Sequence, residues 1–355
     1  MKLTRRQFFT SVTGALAVVG GASYLLSENK GFLLGWGKNI YFFKSNSALS
    51  SYTGLGVWNI ETPSSPHDFL SIGDGNYIAM PKWEKTLTVF NVDSKKVIKE
   101  VTLSKGEQFM GHGIFDKEKS LIYLSTIRFL NYGIDAQGTG FIKVYNSKSL
   151  ELIEEFPTYG LEPHECLVED GKLIVLNSGL NAKKQGARSS AAIIDLSTKK
   201  LISEFSSPKN FHFAHFEKIE TNKYFICHEF ADGFDDNKLS PYILDTNKGL
   251  SQLEDLGKVF ERGGLLTPAY ISKHRLIAAT APSDDIIVFW NIDTKKHVKT
   301  IKLKNPRAIF YKPEEDILIA GTKKGIYRID PKSFSIKSIF SLDLDDSLSS
   351  HGYWV

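Results

Sequence analysis

The chain has 355 residues, 42% of them hydrophobic and 24% charged, with a net charge of +4. This is ordinary globular composition, long enough for one large domain or two modest ones. The charge is small for the length and no basic cluster interleaves with aromatics, so nucleic-acid binding has no support; two cysteines, Cys166 and Cys227, exclude a fold held by a disulfide framework.

In chain order, residues 1–26 stand apart. Arg5 and Arg6, followed by Phe8-Phe9 and an apolar stretch, SVTGALAVVGGASYLL, have the layout of a twin-arginine (Tat) export signal. That predicts a periplasmic protein translocated after folding. The apolar stretch is short for a membrane span, which needs about 20 residues. No clean A-x-A cleavage site follows it, so a retained N-terminal membrane anchor is the alternative to removal. Residues 27–39, containing GFLLGWG, read as a glycine-rich linker, and residues 40–355 as the folded domain.

From about residue 40 the apolar period is two, with turn residues at short intervals and no amphipathic helix between them. One unit recurs. Its inner half is seen in SPHDFLSIGDGNYIAM at 65, MGHGIFDKEKSLIYLS at 110, LEPHECLVEDGKLIVLNSG at 161, FAHFEKIETNKYFICH at 213, PAYISKHRLIAATA at 268, PRAIFYKPEEDILIAG at 306 and SSHGYWV at the C-terminus. Its outer half, strand, Asx-Lys turn, strand, is seen at 87–101, 142–156, 191–205, 286–301 and 325–340, with a degenerate copy at 242–257. Joined, they make a four-stranded meander repeating every 40 to 50 residues or so, the length of a propeller blade. The expected fold is therefore all-β, a seven-bladed β-propeller of the WD40 or YVTN kind. Its last inner strand has no partners after it and its N-terminal strands have none before them, so the two ends should share one blade and close the ring.

Five of the seven inner strands begin with a histidine in nearly the same phase: His67, His112, His164, His215 and His351. In a propeller these starts surround one mouth near the axis. Imidazoles converging there suit Fe, Cu, Zn or Ni, with iron or copper the expected cofactor. Asp68, Glu162 and Glu165 are placed to act as outer partners or extra ligands. Loops at 126–140, 177–190 and 228–240 should overhang the same mouth. The competing reading makes the histidines structural, as in the Gly-His pair of tryptophan-aspartate repeats; yet here Trp58-Asn59 and Trp290-Asn291 lack the aspartate.

Several other residues carry weaker signals. His212, three positions from His215 on a strand, must point to the opposite side and is assigned to the preceding loop. Cys166 and Cys227 read as buried thiols, DGFDDN at 232–237 as a solvated loop, His274 and His297 as surface turn residues, and Arg307 as either an anion contact or an inter-blade ion pair. G-x-S-x-G, H-E-x-x-H, P-loop and C-x-x-C-H motifs are all missing from the sequence.

The Tat-like start, GHGIF at 111, YGLEPHECLVEDGKLIVLNSG at 159 and FAHFEK at 213 together resemble a bacterial family of Tat-exported propellers known as a domain of unknown function, often encoded beside imelysin-like and iron-uptake proteins. The resemblance implies a periplasmic role tied to metal acquisition, carried here by His112, His164, Gly111, Gly113, Pro163 and Glu165. Where that family has a further His-Pro in the third-blade loop, this chain reads NSGLNAKKQGARSS, without histidine. The resulting expectation is a monomeric accessory in metal uptake that binds a metal or metal complex and engages a periplasmic protein partner. A non-catalytic interaction platform and a metallo-oxidoreductase remain as alternatives.

Overall fold

Period-two patterning becomes strand after strand in the computed structural model, which describes residues 31–44, 57–129, 138–179, 189–208, 211–230, 241–254, 264–322, 324–341 and 348–354. Three strands come first: β1 (Gly31–Trp36), β2 (Asn39–Lys44) and β3 (Val57–Glu61). Two meanders follow, β4 (Pro66–Gly73), β5 (Asn76–Glu84), β6 (Thr86–Asn91) and β7 (Lys96–Thr102), then β8 (Glu107–Asp116), β9 (Leu121–Phe129), β10 (Gly138–Asn146) and β11 (Leu152–Pro157). The third and fourth are β12 (Pro163–Glu169), β13 (Lys172–Asn177), β14 (Ser190–Asp195) and β15 (Leu201–Ser206), then β16 (Phe211–Glu220), β17 (Lys223–Phe230), β18 (Tyr242–Asp245) and β19 (Gly249–Gln252). The last two are β20 (Pro268–Ile271), β21 (Leu276–Ala281), β22 (Ile286–Asn291) and β23 (His297–Lys302), then β24 (Pro306–Lys312), β25 (Ile317–Thr322), β26 (Gly325–Ile329) and β27 (Ile336–Ser341). A final strand, β28 (Leu348–Trp354), ends the chain. Among the described residues there is no α-helix, only two short 3-10 turns.

Each meander is antiparallel, and the two earliest are fused through β5 and β8, where Lys82 pairs with Met110 and Glu84 with Phe109. The remaining sheet runs in the order β28-β1-β2-β3, so the two ends of the described chain pair with each other. The first strands of successive sheets are neighbours: β4 lies against β8, β8 against β12, then β16, β20, β24 and β28, and β28 against β4.

The second and third strands are near-continuous apolar runs because both their faces are covered by adjacent sheets. Phe225, Cys227 and Ile243 pack on Ile277, Val288 and Trp290 of the next sheet, and Ile174, Leu176 and Ile193 pack on Tyr224, Ile226 and Leu244. The fourth strands are largely exposed on β7 and β15, as expected for an outer rim, and carry exposed apolar residues such as Ile98 and Ile202 among the polar ones. The Asx-Lys turns form as the sequence predicts: Asn91, Asn146, Asp195, Asn291 and Asp330 each accept two backbone amides from the residues just after them, which closes the outer hairpin.

Two expectations need correction. Within the expected linker 27–39, residues 31–36 are strand β1, pairing with both β2 and β28, as in Leu33 with Phe42 and with Tyr353. Its glycines disguise a strand whose Leu33 is fully buried, and one of its two partners lies at the far end of the chain. The strands also reach into two of the expected loops: β9 runs to Phe129 and β10 begins at Gly138, while β17 runs to Phe230. Positions 130–137, 180–188 and 231–240, together with residues 1–30 and so Arg5, Arg6 and the signal, lie outside the described residues.

Candidate metal centre

His67, His112, His164 and His215 stand on β4, β8, β12 and β16, the first strands of four consecutive sheets. At each of them the ladder to the second strand breaks register: between Pro66 and Asp68, Phe109 and Gly113, Pro163 and Cys166, and Phe213 and Phe216. Such irregularities bend the strand and re-aim a side chain that the regular pleat would send elsewhere. The four rings consequently meet, with centroids 4.4 to 6.3 Å apart. One ligand nitrogen from each lies within 4.8 Å of all the others.

The rings form two pairs. Nε2 of His67 is 3.1 Å from Nε2 of His112, and Nε2 of His164 is 3.1 Å from Nε2 of His215. On the outer side, Nδ1 of His112 is 3.0 Å from Oδ2 of Asp68, and Nδ1 of His215 is 3.3 Å from Oε2 of Glu165. Both carboxylates are held by backbone amides, Asp68 Oδ1 by Phe69 at 2.7 Å and Glu165 Oε2 by Phe216 at 2.8 Å. The Asp68 oxygen is an acceptor, so Nδ1 of His112 carries a proton toward it, while Glu165 stands beside Nδ1 of His215 at ion-pair distance only.

Two further residues fix the frame. The Ser125 hydroxyl lies 2.8 Å from the carbonyl of His112 and 3.1 Å from that of His164, bridging two histidine strands from β9. Gly111, at φ +98, lets the backbone pass against His67: a Cβ there would be 2.4 Å from the ring's Cδ2. Gly111 follows directly from the Gly-His-Gly reading. Ser125 does not, since a serine in a strand interior carries no sign of its partners.

Burial keeps the His164 ring neutral, its pKa lowered well below the usual imidazole range, helped by the Lys82 ammonium and the three neighbouring rings. Burial likewise raises the Glu165 carboxyl well above the carboxylate range, against the Phe216 amide, which lowers it. Glu217, on the same strand, is pushed up to about 7 by burial. Imidazole nitrogens facing one another, with carboxylates behind two of the rings, are the arrangement in which histidine ligates metals. Four histidines this close together could hold a metal ion.

The other expected residues fall as follows. His351 lies on β28 at the corresponding break in pairing, between Leu348 and Gly352; its side chain is outside the described residues. Glu162 is buried, and its carbonyl receives the amide and hydroxyl of Ser178 at 2.9 and 3.2 Å. His212 belongs to β16 rather than to a loop, and its Nδ1 lies 2.8 Å from the Ser178 carbonyl; the strand starts earlier than its apolar pattern suggests. Cys166 and Cys227 are free and buried, and burial raises the Cys166 thiol pKa, as for an inert sulfur. Arg307 sits on β24 at the same kind of register break, its carbonyl accepting from the Thr267 hydroxyl at 2.6 Å. His274 bonds Asp316 at 2.9 Å, and His297 opens β23 with Nε2 2.9 Å from Thr300 Oγ1, so both are half-buried rather than free surface groups. The DGFDDN stretch lies outside the described residues.

Residues 82–201 match the family model described as "Protein of unknown function (DUF1513)", a span that includes His112 and His164. No curated protein matches the sequence. Among solved structures, the chain is similar to one from Kuenenia stuttgartiensis hydrazine synthase, 10% identical, with a TM-score of 0.65 over 89% of this chain and 99% of that one. It is also similar to a chain in the crystal structure of the mitotic checkpoint complex, 11% identical, with a TM-score of 0.57 over 78% of this chain and 76% of that one. At such identities the likeness is one of fold alone, and the fold is β-propeller-like and all-β.

Proposed function

We propose that this chain is an exported seven-bladed β-propeller whose histidine centre binds a metal ion or metal complex, as an accessory to the acquisition of iron or another metal. The observation that carries the reading is the convergence of four imidazole nitrogens from four separate sheets within 4.8 Å. Within each pair the spacing fits an ion: with metal–nitrogen bonds of about 2.0–2.1 Å, adjacent ligand nitrogens stand about 2.9 Å apart at right angles and about 3.4 Å apart in a tetrahedron. The 3.1 Å separation within each pair lies between these values. Separations toward the 4.8 Å limit must close below about 4.2 Å for all four to bind at once.

Seven blades are supported by the cyclic neighbourhood of the first strands and by the sheet that β28 shares with β1, β2 and β3. Export to the periplasm is supported by Arg5, Arg6 and the apolar segment behind them. A link to metal uptake is supported by the site itself and by the resemblance carried at Gly111-His112-Gly113 and Glu162-Pro163-His164-Glu165. His351, at the fifth matching position, is proposed as a further ligand.

Elemental analysis of natively exported protein, before and after His112→Ala combined with His164→Ala, tests this. A bound transition metal in near-stoichiometric amount, lost in the double variant, is expected. Metal content unaffected by the two substitutions, or none in the native protein, would refute it.

A further inference from the structure

We infer that the histidine centre is built for a divalent ion of the late first transition row (ferrous iron, nickel, copper or zinc) and discriminates against ferric iron. This rests on the proposed metal site and concerns which ion enters it. Three independent features point the same way.

The first is the donor set. All four converging atoms are imidazole nitrogens, and the two nearest carboxylates are engaged elsewhere. Asp68 accepts from Nδ1 of His112 and the Phe69 amide, and Glu165 accepts from the Phe216 amide with Nδ1 of His215 3.3 Å away. Hard ions such as ferric iron, calcium and magnesium are held by oxygen, whereas imidazole suits the borderline divalent ions.

The second is burial. Three of the rings are 2% exposed or less, and the cost of taking an ion out of water grows steeply with its charge, which favours a dication over a trication.

The third is size. Nitrogen pairs 3.1 Å apart match the short bonds of d-block ions, about 2.0–2.1 Å, better than the 2.3–2.6 Å or so of calcium, and the two pairs close on such an ion from within 4.8 Å. Asp68 and Glu165 act here as positioning residues: standing at Nδ1 of His112 and His215, they leave Nε2 of each ring turned toward the centre. Each carboxylate follows one histidine in sequence and serves the histidine of the next sheet, so the pair also couples neighbouring strands.

The test uses the full-length protein stripped of metal with a chelator. Zn2+, Cu2+, Ni2+, anaerobic Fe2+ and Fe3+ supplied as its nitrilotriacetate complex are titrated in competition with an indicator. Affinities rising from Fe2+ through Ni2+ to Cu2+, with Fe3+ at least 100-fold weaker than Fe2+, are expected. Asp68→Asn and Glu165→Gln should each weaken Zn2+ binding by about 10- to 100-fold and alter the nitrogen superhyperfine pattern of bound Cu2+, while far-UV circular dichroism stays unchanged. Ferric iron binding as tightly as the divalent ions, or wild-type Zn2+ affinity and an unaltered Cu2+ spectrum in both variants, would overturn the inference and leave the metal site standing. Binding of no ion at all would remove both.

Discussion

Gly111→Ala perturbs the centre without touching a ligand, and the structure supplies its control. Gly111 has φ +98, and its added Cβ would stand 2.4 Å from Cδ2 of His67. Gly73 has φ +90, yet nothing lies within 4 Å of the Cβ it would carry. Both alanines suffer the left-handed backbone penalty of about 1–2 kcal/mol; only the first also drives a side chain into a ring. To restore ordinary contact at 3.4 Å or more, His67 must retreat by about 1 Å, which lengthens its 3.1 Å contact with His112 beyond hydrogen-bond range. Overpacking of this kind adds about 1–3 kcal/mol. Urea unfolding should therefore place Gly111→Ala about 1–3 kcal/mol below Gly73→Ala. The same pair should diverge in Zn2+-induced stabilisation, retained by Gly73→Ala and reduced in Gly111→Ala. Equal stabilities and equal Zn2+ responses would refute the close fit of Gly111 against His67.

Ser125→Ala removes the hydroxyl shared by the carbonyls of His112 and His164 and should cost about 1 kcal/mol in urea unfolding, a loss below roughly 0.3 kcal/mol showing that the bridge contributes nothing. Acid should destabilise the protein through His228, whose pKa burial lowers to about 3. Above the ordinary imidazole pKa neither state takes the proton; below it the unfolded chain does and the folded chain does not, so stability falls from about pH 6.5 toward pH 3, by several kcal/mol in order of magnitude. In His228→Leu the loss of stability between pH 7 and 4.5 should be shallower, and an unchanged slope would assign acid sensitivity elsewhere. Deleting residues 348–355 removes β28 and its pairing with β1 from Phe32 to Trp36; the truncated chain should melt well below the intact one, and coincident melts would show that the shared sheet does not hold the fold together.

The strands were legible because two local rules agree: apolar residues recur with period two, and each outer hairpin turns on an Asx side chain such as Asn91 or Asp195 that bonds its own backbone. The four histidines were legible because they recur in phase on those strands. β1 was hidden by its glycines and by a partner at the opposite end of the chain. The direction of the carboxylates was hidden as well. Asp68 follows His67 but meets His112, and Glu165 follows His164 but meets His215, because neighbours on a strand point to opposite sides and the partner across the gap belongs to another sheet. Ser125 and the fusion of β5 with β8 rest on tertiary contacts with no local pattern to announce them.

Three of the four rings are at most 2% exposed, and apolar side chains of similar volume would fill the same space with no polar atoms to satisfy. A core built for stability alone would have them. The centre instead places two nitrogen–nitrogen contacts of 3.1 Å where the first strands meet, at breaks in each ladder. Departures from the local rules that otherwise govern a chain concentrate where function is held. Here the departure is repeated on four successive first strands, while the apolar interfaces between the sheets follow the ordinary rules throughout. The fold is shared with chains only 10–11% identical, so it cannot by itself specify what is bound. A repeated strand start that comes back to the same axis lets four residues 45 to 52 positions apart in sequence become one cage; the sheets hold that cage from outside, and Asp68 and Glu165 stand behind two of its rings.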